Sequence, residues 1–349
     1  MSKQGKTSKY RRFAVSLTVS ALIAAAGMAA VDSITPAVAW NRLFVPLVRL
    51  CLFIGIGLAI AQVIEARGWT RRLGAVAGPM FSYANLGRRC SAAFSTAFFS
   101  GVAANSMLVD FYNDQKITRH QMFLTNFINQ LPAYFLHLPT TFFIVVPLTK
   151  TAGLIYFGLT FGATLLRTLI FVLWGRLFVS PPRDLDYDRA DQEGTEAEKN
   201  GAWAVIRSRL PSRYASILTY VVPIYTAVYF AAGLGAFEAL RNWTARAVTL
   251  ENLPVEAFSV VILSFAAEFT SGFAAAGALL DQEVITVKQT VIALIAGNVI
   301  AFPIRALRHQ LPRYMGIFHP KTGLELLLMG QSFRVASLIA VTAVYYMLA

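Results

Sequence analysis

The sequence is poor in charged residues and in the residue types that build metal and redox sites. Only 14% of its 349 residues are charged, and it contains two cysteines and four histidines. Because 56% of the residues are hydrophobic, this composition excludes an ordinary soluble domain. Cys51 and Cys90 lie in apolar surroundings without a CxxC or Cys/His spacing. We therefore expect neither a disulfide framework nor a metal site.

The sequence also lacks the local motifs of the common enzyme classes. It contains no P-loop, no HExxH, no GxSxG and no grouping of Ser, His and Asp. We therefore expect no enzyme activity and no cofactor. The formal net charge is +13, but the basic residues collect in short segments between apolar runs. This pattern is typical of the cytoplasmic loops of membrane proteins and argues against nucleic-acid binding.

Long apolar runs predict an all-α protein that crosses a membrane several times, since a spanning helix needs about 20 apolar residues. The first run follows a basic N-terminus and precedes Ala37-Val38-Ala39, which resembles a signal-peptide cleavage site. We favour an uncleaved first helix over a signal peptide, and the alternative stays open. Two further runs, 90–111 and 256–282, carry a Ser-Gly pair near the middle. The predicted spans are 13–31, 43–65, 121–148, 151–177, 215–237, 285–305 and 324–348.

The apolar part of the chain is duplicated. Residues 97–104 read AFFSGVAA and residues 268–275 read EFTSGFAA. After each motif the order of polar residues is also repeated, first by Asp110 and Asp281 and then by Arg167 and Arg334. A duplicated hydrophobic unit with glycine-interrupted segments at matching places is typical of secondary transporters.

Loop charges predict the orientation of the two copies. The segments 67–89, 178–213 and 305–321 each carry several Arg or Lys residues and are expected in the cytoplasm. Run 90–111 then enters and leaves the membrane from inside as a re-entrant hairpin, and run 256–282 does so from outside. Each copy crosses the membrane an odd number of times, so the copies are inverted, and the expected architecture is seven spans plus two hairpins. The expected domains are an N-terminal helix and loop (1–42), a first repeat (43–179), a polar cytoplasmic linker (180–213) and a second repeat (214–349).

Arg167 and Arg334 each lie near the middle of an apolar span. A central arginine costs about 2.5–3.5 kcal/mol on insertion scales, so it should face a cavity or a partner. One hypothesis is that the two guanidiniums bind an anionic group of a substrate through bidentate hydrogen bonds. The alternative is that they are structural and bind backbone carbonyls or a carboxylate such as Asp110 or Asp281.

The two Ser-Gly pairs, Ser100-Gly101 and Ser271-Gly272, are expected at the hairpin tips. Helix N-termini at such tips present free N–H groups that favour anions, so these four residues are candidate substrate ligands. The alternative is that Ser-Gly merely permits the turn and close packing. Asn105, in the first hairpin, is a further candidate ligand.

Five other side chains complete the candidate site. Glu268 has no counterpart in the first copy, where Ala97 stands, so it is the leading candidate for coupling to a proton or sodium ion; the alternative is an ion pair with Arg334 or Arg167. Asp110 and Asp281 are the other candidates for ion coupling. Asn129 and Asn298 precede prolines that interrupt helical hydrogen bonding, so their amides are candidates for substrate contact or for replacing those bonds.

The motifs FxSGxAA at 98–104 and FTSGFAA at 269–275, with the Asn…Pro pairs and paired arginines, resemble the nucleoside-recognition or Gate domain family. That family includes spore-maturation membrane proteins, the membrane part of ferrous iron transporter B and, more distantly, the concentrative nucleoside transporters. The resemblance covers about residues 43–179 and 214–349, and it implies the inverted fold and a transport-like site. The chain lacks a GTPase domain and a cysteine at either hairpin tip, which argues against iron transport.

Together these features predict a multi-pass protein of the bacterial inner membrane that transports a small polar solute, either anionic or nucleoside-like. The expected partners are membrane lipids and the solute, and a homo-oligomer stays open. The alternative is a non-transporting membrane scaffold or sensor with the same fold. A lipid-handling protein is a third hypothesis.

Overall fold

A computed structural model describes residues 3–31, 33–66, 75–181, 202–235, 254–266 and 269–348. These residues form helices joined by short connections, with no strand among them, which confirms the all-α prediction. Within the described ranges, six helical stretches are long and apolar enough to cross a membrane, so the chain is a multi-pass membrane protein. The six are Arg11–Ala30, Pro36–Ile60, Thr141–Phe178, Arg213–Gly233, Val287–Phe318 and Pro320–Leu348.

The described helices are numbered here in chain order. Two short π-helical segments, Trp40–Phe44 and Ala306–Gln310, join successive α-helices. The α-helices are α1 Lys3–Ala30, α2 Pro36–Ala39, α3 Val45–Ala66, α4 Gly78–Tyr83, α5 Gly87–Ala97, α6 Gly101–Asn113, α7 Arg119–Ile128, α8 Gln130–Phe178, α9 Ala202–Gly233, α10 Val255–Ala266, α11 Phe269–Asp281, α12 Val287–Arg305, α13 Leu311–Phe318 and α14 Pro320–Leu348.

Helix α8 folds back on itself at Lys150. The backbone there has φ 50° and ψ −127°, which no helix can contain, so 130–149 and 151–178 are two helices. They run antiparallel, because the Tyr134 hydroxyl donates to the Phe157 carbonyl at 3.1 Å while Gly153 lies against Val146 near the fold. The predicted span 121–148 is therefore made of α7 and the first half of α8, separated at Asn129.

The chain forms two compact units, and each draws segments from both halves of the sequence. Unit 1 comprises Met1–Ala133, Ile170–Leu234 and Gln310–Leu327. Its core contains buried side chains of α4 to α7, among them Phe81, Leu108 and Met122. Unit 2 comprises Tyr134–Leu169, Gly235–His309 and Leu328–Ala349, with a core around Val145, Val260 and Leu294.

In unit 1, α1 and α9 pack in parallel. The Ser16 hydroxyl donates to the Thr219 carbonyl at 2.7 Å, and further along both helices Gly27 lies against the ring of Phe230. A Cβ at Gly27 would lie 2.2 Å from that ring, so only glycine permits this approach. Since the contacts advance together along both helices, the N-terminal ends of α1 and α9 lie at the same end of the unit.

Helices α5 and α6, also in unit 1, form a hairpin of 11 and 13 residues. At about 1.5 Å per residue, neither helix is long enough to cross a hydrocarbon core of about 30 Å. The two open ends of the hairpin lie together, because Nη1 of Arg89 donates to the Lys116 carbonyl at 3.2 Å.

In unit 2, α10 packs against both α11 and α12. Small residues allow this close approach: a Cβ on Gly272 would lie 2.1 Å from the Ser264 hydroxyl, and one on Gly297 would lie 2.6 Å from the Ser264 Cβ. Helix α11 also lies against the fold in α8, since a Cβ on Gly277 would come within 2.2 Å of the Leu148 carbonyl oxygen.

The turns that follow the two Ser-Gly segments are built alike. Thr118 and Gln121 form a reciprocal capping box at the start of α7, and Thr286 and Gln289 form the same box at the start of α12. The left-handed residue of each turn occupies the same place, Gln115 in one and Glu283 in the other.

The carboxylates differ in register within these turns. Asp281 lies closer to Glu283 than Asp110 lies to Gln115. The two aspartates therefore do not occupy equivalent positions.

Candidate functional site

Arg167 is the most buried charged side chain of the candidate site. It lies in the second half of α8, and only 6% of its surface is exposed. Its Nη1 donates to the Ser337 hydroxyl at 2.6 Å and to the Arg334 carbonyl at 3.4 Å, and its Nη2 donates to the Thr164 hydroxyl at 3.2 Å. Its Nε is buried without a partner. Among the described residues, the acceptors around this guanidinium are all neutral oxygens.

Asn298 is the centre of a second set of hydrogen bonds in the same unit. Its amide nitrogen donates to the buried hydroxyl of Tyr156 on α8. Its amide oxygen accepts from Nη2 of Arg305 at 3.1 Å. The charge pattern places Arg305 in a cytoplasmic loop. In the structure Arg305 is the last residue of α12, and its side chain extends back along that helix to Asn298.

The guanidinium of Arg334 stacks on an aromatic ring. Its guanidinium carbon lies 3.7 Å from the centroid of the Phe302 ring, and that of Arg305 lies 5.3 Å from the same centroid. Such stacking stabilises a cation away from water. The Phe302 ring thus contacts both Arg305 and Arg334. Arg167 is linked to Arg334 by its hydrogen bond to the Arg334 carbonyl.

These residues form one polar cluster inside the apolar unit 2. We call it the arginine cluster, and its members are Tyr156, Thr164, Arg167, Asn298, Phe302, Arg305, Arg334 and Ser337. The cluster holds three guanidiniums, and their contacts include hydroxyls, an amide, a carbonyl and an aromatic face. Guanidinium groups in such surroundings can bind a carboxylate or a phosphate through paired N–H groups.

The first Ser-Gly pair lies at the tip of the α5–α6 hairpin, in unit 1. Ser100 is the N-cap of α6, and its hydroxyl accepts from the Ala103 N–H at 3.2 Å. A Cβ on Gly101 would meet nothing within 4 Å, so packing does not require glycine there. The neighbouring Phe99 is exposed.

Two candidate amides, those of Asn105 and Asn129, also belong to unit 1. The Asn105 side-chain oxygen accepts from the Asn126 amide at 2.9 Å, and both residues are buried. Asn129 is the C-cap of α7 at the break before α8, and both polar atoms of its side chain are buried without a partner. The amides of unit 1 and the arginine cluster belong to different units.

The second Ser-Gly pair lies at the start of α11, in unit 2. Ser271 and Gly272 are in the first turn of that helix. Gly272 fits tightly against Ser264, in contrast to the open surroundings of Gly101. Glu268, the candidate for ion coupling, lies outside the described residues.

The two aspartates proposed for ion coupling each have a basic neighbour within their own unit. Asp110 forms an ion pair with Arg213, and both side chains are largely buried. Asp281 pairs with Lys150 at 2.5 Å, and both of these side chains are mostly exposed. Neither aspartate is among the contacts of Arg167.

Within the described residues, no group of three His, Cys, Asp or Glu side chains could hold a metal ion. Neither Cys51 nor Cys90 forms a disulfide, and Cys90 is buried.

Several members of the arginine cluster were not found by sequence reasoning. Tyr156, Phe302 and Ser337 stand in apolar runs where an aromatic or a small polar residue is unremarkable. One available signal was the spacing of Thr164 and Arg167, which places them on the same face of a helix. Ser337 stands in the same relation to Arg334 on α14.

Comparison with known proteins yields relatives but no activity. No family model matches the chain, and no solved structure matches it. Uncharacterized protein MJ0880 of Methanocaldococcus jannaschii is 26% identical over 282 residues, which cover 78% of this chain and 88% of that relative. Uncharacterized protein MJ1556 of the same archaeon is 24% identical over 281 residues, covering 80% and 88% of the two chains. Uncharacterized protein MJ0871 is 21% identical over 304 residues, covering 86% and 94%.

The similarity thus extends along most of this chain and of all three relatives. The names of these relatives state no substrate or partner. Membership of the Gate domain family and a location in the bacterial inner membrane therefore stay predictions.

Proposed function

We propose that this chain is a secondary transporter of a small organic anion and that Arg167 binds the anionic group of the solute. The proposal rests mainly on the surroundings of Arg167. Its charge lies inside a helix long enough to span a membrane, and its described acceptors are neutral. No carboxylate is among the described contacts of this guanidinium, and a buried charge without a counter-charge is costly, so a bound anion would stabilise it.

The arginine cluster supports this proposal by its composition. Asn298 accepts from Arg305, and the Phe302 ring lies against both Arg305 and Arg334, so these two side chains orient the planar donor groups. A carboxylate or phosphate oxygen pair fits the fork of a guanidinium group. The same cluster would disfavour a cation. We therefore prefer an anionic solute to an uncharged nucleoside.

Local geometry supports a pair of inverted repeats with re-entrant hairpins. The α5–α6 hairpin has both open ends beside basic residues, as expected if it enters from the cytoplasm. The C-terminal end of α11 lies beside Lys150, the fold that the charge pattern places outside. The matching capping boxes and the left-handed residues Gln115 and Glu283 support a common origin of the two copies.

The parallel packing of α1 and α9 supports the same orientation. It puts the basic start of α1 and the N-terminal end of α9, which carries Arg207, Arg209 and Arg213, at one end of unit 1. Both segments were assigned to the cytoplasm on charge alone. A single helix from 151 to 178 then separates Lys150 from Arg176, as one crossing requires.

A second function, a membrane scaffold or sensor, is favoured by the network that Arg167 makes. Its hydrogen bonds join α8 to α14, which is what a structural cross-link would do. In that case the arginine would be needed for folding and no solute would bind. The two functions differ in whether an anion stabilises the protein.

The test is thermal stabilisation of the purified full chain by a panel of probes. The panel holds acetate, succinate, inorganic phosphate, a nucleoside monophosphate and an uncharged nucleoside. A ligand at about 100 times its dissociation constant adds about 2.7 kcal/mol to stability, which is readily measured as a rise in Tm. We expect stabilisation by at least one anion, its loss in Arg167→Gln, and its retention in Arg119→Gln, where an exposed arginine paired with Glu325 is removed.

Stabilisation by the uncharged nucleoside alone would favour the nucleoside-like solute over the anion. If no member of the panel stabilises the protein and none is transported, the scaffold function is the better account.

A further inference from the structure

Helix α1 lies outside the predicted repeats, and the proposed transport function gives it no role. It nevertheless packs against α9 along much of its length, from the contact of Ser16 with Thr219 to that of Gly27 with Phe230. Its first part is basic, with Lys3, Lys6 and Lys9 ahead of two arginines. An added helix with a strongly basic entry suggests an interaction at the membrane surface.

At this basic end, α1 and α9 leave an open groove of about 350 Å³ between them. The residues that line it are Arg11, Arg12 and Val15 of α1 and Thr219 of α9. The two arginines are exposed, and neither has a hydrogen-bond or ion-pair partner among the described residues. The groove therefore combines unpaired positive charge with an apolar side chain.

The groove lies where the basic segment of α1 meets its apolar span, which begins at Arg11. Below Arg11, the exposed residues Val15, Val19 and Leu22 follow one another at helical spacing. They form an apolar stripe on the outer face of α1, directly below the two guanidinium groups. Charge at the interface above an apolar stripe within the membrane matches the two parts of a phospholipid.

We propose that this groove binds the phosphate headgroup of an anionic phospholipid, with an acyl chain along the stripe of Val15, Val19 and Leu22. Arg11 and Arg12 supply paired N–H donors to the phosphate oxygens. Thr219 lines the groove from α9, so residues of two helices contribute to the site. The site involves none of the arginine cluster, so it stands independently of the transport function.

The site predicts selective lipid binding by the purified, delipidated full chain. Native mass spectrometry in detergent would be used to titrate phosphatidylglycerol and phosphatidylcholine. We expect phosphatidylglycerol to bind more tightly, and Arg11→Gln/Arg12→Gln to weaken it at least about tenfold, since each basic residue near the surface contributes.

The charge-matched control is Lys3→Gln/Lys6→Gln, which removes two positive charges from the same helix ahead of the groove. We expect it to change phosphatidylglycerol binding by less than about threefold, because these lysines lie more than one helical turn ahead of Arg11 and screening weakens their attraction to the headgroup. Equal losses in the two double variants would show a diffuse electrostatic attraction and would overturn the site.

Two further arms separate lipid from soluble phosphate and guard against misfolding. Glycerol phosphate, the free headgroup, is expected not to displace the lipid; displacement at equal concentration would identify a soluble-anion site instead. The variant Arg11→Lys/Arg12→Lys keeps both charges, and we expect it to bind more tightly than the Gln pair. Binding as weak as in the Gln pair would contradict an electrostatic site.

Discussion

Arg167 donates a hydrogen bond of 2.6 Å to the hydroxyl of Ser337, joining the middle of one apolar helix to the middle of another. The contact explains how a charged side chain can lie with 6% of its surface exposed among apolar helices. Ser337 accepts from the arginine and also donates to the Arg334 carbonyl at 3.0 Å. The Ser337 hydroxyl therefore contacts both the guanidinium of Arg167 and the backbone of its own helix, α14.

Removing the Ser337 hydroxyl should destabilise the protein. In Ser337→Ala the guanidinium of Arg167 loses its shortest hydrogen bond, and a bond to a charged group is worth about 1.5–3 kcal/mol. The measurement is the thermal unfolding of the purified protein in detergent. Ser332→Ala is the control in the same helix, since the exposed Ser332 hydroxyl bonds only to its own helix at Leu328. A loss in the control as large as in Ser337→Ala would contradict this role.

The glycines of the two Ser-Gly pairs should respond oppositely to the same substitution. Gly272→Ala places a Cβ 2.1 Å from the Ser264 hydroxyl and should cost about 1–3 kcal/mol through overpacking. Gly101→Ala enters open space within a helix and should be neutral or stabilising, by up to about 1 kcal/mol. Paired melting curves of the two variants measure the difference. Similar destabilisation in both variants would show that Gly101 and Gly272 are packed alike.

The two aspartates should differ in what their loss costs. Asp110→Asn leaves Arg213 without its counter-charge in a largely buried pair and should destabilise by about 1–3 kcal/mol. Asp281→Asn breaks a mostly exposed pair with Lys150, for which about 0–1 kcal/mol is expected. Chemical or thermal unfolding in detergent checks both. A larger effect at Asp281 would point to a task beyond the ion pair with Lys150.

The inverted arrangement predicts that the segments around residues 190 and 250 lie on opposite sides of the membrane. A reporter fused after residue 190 should score cytoplasmic, because that segment lies in the polar linker before α9. One fused after residue 250 should score external, because a single span, Arg213–Gly233, intervenes. The same side for both reporters would exclude inverted repeats.

The fold class follows from the sequence because membrane-spanning helices are set by length and hydropathy alone. The fold of α8 at Lys150 was also expected, since the sequence separated 121–148 from 151–177 there. The contacts of Arg167 could not be predicted, because they depend on which face of α14 meets α8, and no local pattern specifies that. The sequence motifs also made Gly101 and Gly272 look alike, whereas their packing differs because only Gly272 lies against Ser264.

The most direct test of the account is solute flux in proteoliposomes containing the full chain. The probes are the anions that stabilise the purified protein, supplied with and without a proton or sodium gradient. The account predicts uptake by the wild type, loss of about tenfold or more in Arg167→Gln through the lost bidentate contact, and retention in Arg119→Gln. Undiminished uptake by a folded Arg167→Gln protein would contradict the central role of Arg167.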